Sequence, residues 1–108
     1  MNTVASESSK TSKKTKTLPY DVADQLRTPE EMAEYLDAWL TEAPEDVAGI
    51  ARALGDIARA KGMSAVARQA GLSRESLYKA LSENGNPSLA TVLKVAKALG
   101  LRLHAKAA

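Results

Sequence analysis

The sequence predicts a small all-α protein, and three observations carry the prediction. Of the 108 residues, 20 are Ala and 13 are Leu, and both residue types favour helices. Ile and Val together number eight and Phe is absent, so the residues that strands prefer are scarce. Apolar residues also recur three and four positions apart, which is the period of an amphipathic helix. The length is that of one domain with a modest core.

Two amphipathic helices are predicted before residue 62. The first begins at Thr28, which is followed by proline at the first helical position and by glutamate at the third. The second begins near Pro44, has acidic residues in its first turn and ends at Gly62. Their apolar stripes comprise Met32, Tyr35, Leu36, Trp39 and Leu40 in the first helix, and Val47, Ile50, Ala51, Leu54, Ile57 and Ala58 in the second.

Three shorter helices are predicted after residue 62. Their ends are marked by serine N-caps and glycine C-caps, namely Ser64 and Gly71, Ser73, and Ser88 and Gly100. Their inward residues are Met63, Val66, Ala67 and Ala70, then Leu72, Leu77 and Leu81, then Leu89, Val92, Leu93, Ala96 and Leu99. The alternating run LRLH at 101–104 is a candidate short C-terminal strand.

The composition argues against several classes of function. Cysteine is absent and His104, the one histidine, is expected at the surface, so neither a metal site nor histidine catalysis is predicted. No nucleophile–base pair or phosphate-binding loop is present, so we expect no enzyme, no cofactor and no small-molecule substrate. No apolar run approaches the roughly 18 residues that span a bilayer, and the N-terminus lacks the apolar middle of a secretory signal. A cytoplasmic protein without a membrane partner is expected.

The net charge of +2 conceals three blocks of different sign. Residues 1–17 carry a charge of +3, residues 21–46 carry −8 and residues 47–108 carry +7. An acidic block attracts a basic protein, whereas a basic block attracts nucleic acid. The first block is rich in Ser, Thr and Lys and is predicted to be a disordered tail. The tail either adds weak contacts to nucleic acid or serves only solubility.

The run from Met63 to Ser82 has the pattern of a helix-turn-helix. Ala67 supplies the small residue at which two helices cross, and Gly71 supplies a residue that tolerates positive φ four positions later. The second helix of the pair is short and capped, and long polar side chains near its N-terminus suit a DNA major groove. The side chains left for solvent or a groove are Arg74, Glu75, Tyr78 and Lys79.

These residues resemble known proteins. Residues 63–99 are similar to the five-helix, lambda-repressor-like DNA-binding domain of the Cro/Xre phage-repressor class. A more specific resemblance, over about residues 18–104, is to addiction-module antidote proteins, the antitoxins of bacterial toxin–antitoxin pairs. It rests on LRTPEEMAEYLDAWL at 26–40, LGDIARAKGM at 54–63 and GLSRESLYKALSENGNPSLATVLKVAKALGL at 71–101.

The resemblance implies an antitoxin of a type II module that binds and neutralises a small basic RelE/ParE-like toxin. It also implies repression of the antitoxin's own operon by a homodimer on double-stranded operator DNA. Outside the resemblance lies the basic tail at 1–17; within it, an acidic segment at 18–62 is the candidate for toxin contact and residues 63–104 form the DNA-binding region. The last of these is expected to pack with residues 28–62 as one domain.

The resemblance also implies roles for individual residues. Many repressors of the class read bases with Gln-type side chains, so the pair Arg74 and Glu75 departs from the pattern and the base preference does not transfer. The implied base-reading residues are Arg74, Glu75, Tyr78 and Lys79. The implied phosphate contacts are Ser64, Arg68, Gln69, Ser73, Ser76, Asn84, Asn86 and Ser88.

Residues in the acidic segment are candidates for contact with the toxin. Aromatic side chains often anchor interfaces, but residues at this helical spacing also pack against a neighbouring helix, and both interpretations stay open. The candidates are Tyr20, Leu26, Met32, Tyr35 and Trp39. Two other functions also stay open, namely a stand-alone Xre-like repressor without a toxin, and a protein-interaction module whose helical fold binds no DNA.

Overall fold

The computed structural model describes residues 21–82 and 84–108, and this part of the chain is helical without a strand. A short 3-10 helix, Val22–Gln25, precedes five α-helices. The α-helices are α1 (Pro29–Glu42), α2 (Val47–Lys61), α3 (Met63–Ala70), α4 (Arg74–Ala80) and α5 (Leu89–Ala98). The prediction of an all-α protein with five helices is confirmed. The predicted tail at 1–17 and the candidate Tyr20 lie outside the described residues.

Most of the predicted helix ends are confirmed. The Thr28 hydroxyl accepts a hydrogen bond from the Glu31 amide at 3.1 Å, and the Glu31 carboxylate accepts one from the Thr28 amide at 3.1 Å. This reciprocal pair satisfies amides that the first turn of α1 leaves without helical partners. Ser73 and Ser88 cap α4 and α5 in the same way as Thr28 caps α1, through the amide three residues on.

Two predicted helix starts are wrong. α2 begins at Val47 and not near Pro44, because the Asp46 carboxylate accepts a hydrogen bond from the Gly49 amide at 2.8 Å and so fixes the first turn there. α3 begins at Met63, directly after Gly62, so Ser64 lies within its first turn and is not its N-cap. Gly62 adopts a φ of 110°, which lets α2 end and α3 begin at a single residue.

The core is built around α2. α1 and the 3-10 helix pack against α2, α2 packs against α3, and α3 packs against both α4 and α5. The largest side chains that are fully buried are Leu54, Ile57, Val66, Leu77, Val95 and Leu99. Small buried residues such as Ala53 and Ala67 let the helix axes approach closely. No helix in the described ranges is both long enough and apolar enough to cross a membrane.

Some predicted inward positions face solvent. The side chains of Leu89 and Leu93 are 71% and 50% exposed, and Val47 is also exposed. α5 turns a different stripe toward the core than the sequence pattern predicts, because Val95 and Ala98, which the pattern does not select, are buried, whereas Leu89 and Leu93 are not. The first half of α5 therefore presents leucines to solvent.

The predicted strand at 101–104 is wrong for the single chain. Residues 101–108 carry no regular secondary structure. The Leu101 amide donates to the Ala96 carbonyl at 2.9 Å and closes the end of α5, and Gly100 adopts a φ of 76° there. A strand needs a neighbour with which to exchange backbone hydrogen bonds, and no other described segment supplies one.

One buried carboxylate joins the N-terminal elements. Asp56 is only 7% exposed; it accepts a hydrogen bond from the Tyr35 hydroxyl at 2.7 Å and lies 3.1 Å from the Arg59 guanidinium. Arg59 also contacts Asp21 at 2.6 Å. Burial, together with the hydrogen bond to Asp56, raises the pKa of Tyr35 to about 12. The cluster ties α1 and the start of the described chain to α2.

We predict that Tyr35→Phe lowers the free energy of unfolding by about 1.5 to 3 kcal/mol, because it removes a donor from a buried carboxylate. The measurement is urea denaturation followed by circular dichroism. Tyr78→Phe is the matched control, since the Tyr78 side chain is exposed and the same atom is removed; a change within about 0.5 kcal/mol is expected. Equal losses in the two variants would contradict a role for the Asp56 contact.

We predict that Gly71→Ala lowers the free energy of unfolding by about 1 kcal/mol, because Gly71 adopts a φ of 73° that costs an L-residue conformational energy. A Cβ at this position would meet nothing within 4 Å, so no steric clash adds to the cost. Gly71→Asn is expected to lose less, because Asn tolerates the left-handed region. Equal stability of the Ala and Gly proteins in urea denaturation would refute this account.

Candidate nucleic-acid interface and acidic surface

A tight left-handed turn joins α3 to α4. Gly71 has φ 73° and ψ 30°, its amide donates to the Arg68 carbonyl at 3.2 Å, and the Leu72 amide donates to the Ala67 carbonyl at 2.9 Å. The Ser73 hydroxyl then accepts from the Ser76 amide at 3.0 Å and starts α4. Hydrogen bonds between residues 67 and 76 thus fix the end of α3, the turn and the start of α4.

α4 has one buried face and one exposed face. Leu77 is fully buried, and Leu81 at the C-cap is also buried. Each of the four predicted base-reading residues is exposed, so the structure brings them together on one short helix; they are Arg74, Glu75, Tyr78 and Lys79. The guanidinium carbon of Arg74 lies 5.5 Å from the centroid of the Tyr78 ring, a cation–π arrangement that lays the arginine along the helix.

The eight predicted phosphate contacts are also exposed, but several hydroxyls have a structural role. Ser73 caps α4 and donates to the Ser76 hydroxyl at 2.9 Å. Ser88 caps α5 through the Thr91 amide at 3.1 Å. The remaining candidates are Ser64, Arg68 and Gln69 on α3 and Asn84 and Asn86 in the α4–α5 loop.

Two basic hollows contain residues that the sequence analysis did not select. A cleft of about 410 Å³ between α3 and α5 is lined by Gln69, Lys94 and Lys97 together with two alanines. A second hollow, of about 240 Å³, lies beside Tyr78 and includes Arg52 and Arg59. The signal that could have revealed Lys94 and Lys97 is their spacing of three on α5, which puts both on one helix face.

The acidic surface lies mainly on α1. Glu30, Glu31, Glu34, Asp37 and Glu42 are all exposed. α1 turns its acids to solvent because its buried residues, Met32 and Leu36, lie on the other face.

The predicted toxin contacts on or near α1 occupy different environments. Leu26 and Met32 belong to the core, so they offer little surface to a partner. Tyr35 and Trp39 are half-buried and pack toward α2. The Arg52 guanidinium carbon lies 5.4 Å from the Trp39 ring centroid, and a Cβ at Gly49 would collide with that ring. Packing against α2 therefore buries much of each of these two aromatic side chains, while part of each stays exposed.

Comparison with known proteins identifies the family of this chain. The family described as probable addiction module antidote protein matches residues 16–107. The chain is 54% identical over 85 residues to an uncharacterized protein of Haemophilus influenzae (strain ATCC 51907 / DSM 11121 / KW20 / Rd), an alignment that covers 79% of this chain and 86% of that protein. No solved structure matches the chain. Because the family match spans most of the sequence, this chain belongs to the family of probable addiction module antidote proteins.

Proposed function

We propose that this protein is a type II antitoxin that neutralises a small basic RelE/ParE-like toxin by direct binding and represses its own operon through α3 and α4. In this proposal residues 18–62 supply the toxin-contact segment. Residues 63–104 supply the DNA-binding region and pack with 28–62 as one domain. The observation that carries the proposal is the exposed face of α4, held at a fixed angle by the Gly71 turn in a chain of the antidote family.

The dimensions and chemistry of α4 suit the major groove of DNA. Its seven residues span about 10 Å at 1.5 Å per residue, and the groove is about 12 Å wide. Arg74 can donate two hydrogen bonds to guanine O6 and N7, and Glu75 can accept one from cytosine N4 or orient the arginine. Tyr78 and Lys79 follow one turn later. In this arrangement a lambda-repressor-like helix-turn-helix would make the contacts to the DNA bases.

Phosphate contacts would set the orientation of α4 on the duplex. The exposed phosphate candidates on α3 and in the α4–α5 loop flank α4 in sequence. Phosphate contacts fix the position of the protein on the duplex and account for most of the salt dependence of its affinity. Base contacts account for the discrimination between DNA sequences. A homodimer would occupy two half-sites about one helical turn apart on a pseudo-palindromic operator.

The acidic surface of α1 supplies a different kind of attraction. Residues 21–46 carry −8, and the five glutamates and aspartates of α1 after Pro29 are exposed. A field of this sign repels DNA and speeds encounter with a basic protein. The exposed parts of Tyr35 and Trp39 would add apolar contact area as the toxin's active surface is covered.

We predict that Arg74→Ala reduces the preference for the operator over a base-substituted operator by about 5- to 150-fold, the equivalent of one bidentate contact. For Lys79→Ala the two roles have different outcomes: if Lys79 meets phosphate, its loss weakens binding to both DNAs alike and lowers the slope of log K against log salt by about one, whereas loss of a base contact lowers the discrimination. The measurement is fluorescence anisotropy with the promoter DNA of the gene at several salt concentrations.

The matched control for the DNA variants is Arg27→Ala, which removes one positive charge outside α3 and α4. It should leave both the discrimination and the salt slope unchanged. If Arg74→Ala and Lys79→Ala keep full operator affinity and discrimination, α4 is not the reading helix. If the unmodified protein binds no promoter DNA even at low salt, the protein-interaction alternative is favoured.

We predict that Glu34→Lys slows association with the toxin encoded beside the gene by about three- to tenfold at low salt, because it reverses one charge of the acidic surface. Surface plasmon resonance with the purified toxin measures the rate. Glu75→Lys makes the same charge reversal on α4 and should leave toxin association unchanged. Equal slowing by the two reversals would show that overall charge, and not the α1 surface, governs binding. A neighbouring gene without a toxin product would favour the stand-alone repressor.

A further inference from the structure

The smaller of the two basic hollows, of about 240 Å³, lies between α2 and α4. α2 contributes Arg52, Gly55 and Arg59 to its lining, and Tyr78, Leu81 and Ser82 come from α4 and the residues directly after it. Gly55 and Leu81 are buried, whereas the arginines, the tyrosine and the serine are exposed. No acid is found among the described residues that line this hollow. The hollow therefore presents cations and hydroxyl groups to solvent.

The hollow adjoins the flank of α4 on which Arg74 lies. Successive helical residues are about 100° apart, so Arg74 lies about 60° and Tyr78 about 100° around α4 from the buried Leu77. Tyr78 lines the hollow, and the Arg74 guanidinium carbon lies 5.5 Å from the centroid of its ring. A DNA strand that follows this flank of α4 would therefore pass the mouth of the hollow.

The two arginines of the hollow differ in their availability to a ligand. Arg59 contacts Asp21 at 2.6 Å and Asp56 at 3.1 Å, so acids of the same chain already pair its charge. Arg52 forms no ion pair with any described residue, and its guanidinium carbon lies 5.4 Å from the centroid of the Trp39 ring. A stacked ring holds a guanidinium in place and leaves its N–H groups free to donate. Arg52 is therefore the arginine of the hollow that can bind an anion.

Close packing between α2 and α4 fixes where Arg52 stands beside α4. A Cβ added at Gly55, three residues after Arg52, would lie 3.0 Å from the Leu81 carbonyl oxygen at the end of α4. Because the two helices meet without intervening space, Arg52 does not depend on a mobile loop for its position. Preorganisation of this kind lowers the entropic cost of binding.

Charge and geometry identify the ligand as a backbone phosphate of DNA. A helix in the major groove has a phosphate backbone on each side, and the planar guanidinium donates to phosphate oxygens in a bidentate manner. Arg52 belongs to the segment 18–62 that the sequence assigns to the toxin, but an unpaired arginine repels a basic protein. Its position beside Tyr78 and Arg74 instead matches the polyanion that α4 would contact.

We propose that Arg52 on α2 binds a backbone phosphate of the operator, with the hollow beside Tyr78 receiving the phosphate group. The contact extends the DNA-binding surface beyond residues 63–104 to the helix before the helix-turn-helix. This inference rests on the proposed function, since it requires α4 to lie on DNA.

Arg52→Gln tests the contact, because glutamine removes the charge and keeps a side chain that can cover Trp39. It should weaken binding to the operator and to a base-substituted operator alike, by about three- to tenfold, and lower the slope of log K against log salt by about one. Arg52→Lys retains the charge and should restore most of the slope. The measurement is fluorescence anisotropy with the promoter DNA. An unchanged slope for Arg52→Gln overturns the proposal.

The matched control is Arg27→Gln, which removes an exposed arginine that lines neither the hollow nor α4. It should leave both affinity and salt slope unchanged. Equal effects of Arg27→Gln and Arg52→Gln would show that overall charge, and not a contact at the hollow, governs binding, and would overturn the proposal.

Neutral methylphosphonates, placed one at a time in the promoter DNA, locate the phosphate. At the phosphate that Arg52 contacts, the replacement should weaken binding of the unmodified and Arg27→Gln proteins by about three- to tenfold and of the Arg52→Gln protein by less than about twofold, because the two changes remove the same contact. If all three proteins respond to the same set of replacements, Arg52 contacts no phosphate.

The outcomes separate this inference from the proposed function. If Arg74→Ala loses discrimination while Arg52→Gln keeps the full set of sensitive phosphates, α4 remains the reading helix and only the role of Arg52 is refuted. If the unmodified protein binds no promoter DNA, both are refuted. If Arg52→Gln alters toxin association and leaves DNA binding unchanged, Arg52 belongs to the toxin surface and the proposal is overturned.

Discussion

Leu54 and Ile57 of α2 are fully buried, and the remainder of the structure depends on the packing that buries them. α1 and the 3-10 helix rest on α2, and α3 connects α2 to α4 and α5. The neighbouring helices approach α2 closely because α2 is rich in small residues. A Cβ added at Gly55 would lie 3.0 Å from the Leu81 carbonyl oxygen, at the end of α4. Bulk at this point of α2 would displace the helix that carries the candidate reading residues.

The buried Asp56 carboxylate adds directional constraint to a core that is otherwise apolar and rich in alanine. A charge that is only 7% exposed is tolerable when its oxygens are paired, and here Tyr35 and Arg59 pair them. Arg59 extends the contact to Asp21, and the pKa of Asp21 is held below its ordinary value by the Ala23 amide and by Arg59. Hydrogen bonds have narrower geometry than apolar contacts, so they fix the rotation of α1 and hence the direction of its exposed acids.

Features encoded by a few neighbouring residues were predictable from the sequence, and features set by packing between helices were not. The cap at Thr28 and the turn at Gly71 depend on local chemistry, and both appear as expected. The rotation of α5 depends on which of its faces meets α3, so Leu89 and Leu93 emerged at the surface against expectation. Exposure of Arg74 and its neighbours followed from the burial of Leu77. The interaction of Tyr35 with Asp56, 21 residues away, left no signal in the pattern of either helix.

The chain of contacts from α1 through α2 to α3 bears on how two partners would share this small protein. α1 carries exposed acids and packs mainly against α2, whereas α4 carries the candidate reading residues, packs mainly against α3 and approaches α2 at Leu81. Binding of a basic toxin to α1 would cancel the negative field that opposes DNA, so under the proposed function it should favour operator binding without moving α4. The coupling is reciprocal, because operator DNA would favour toxin binding by the same factor. Salt would weaken such coupling, because the coupling acts through the electrostatic field and not through a change of fold. A conformational route would instead have to pass through α2, whose fully buried leucine and isoleucine leave it little freedom to move.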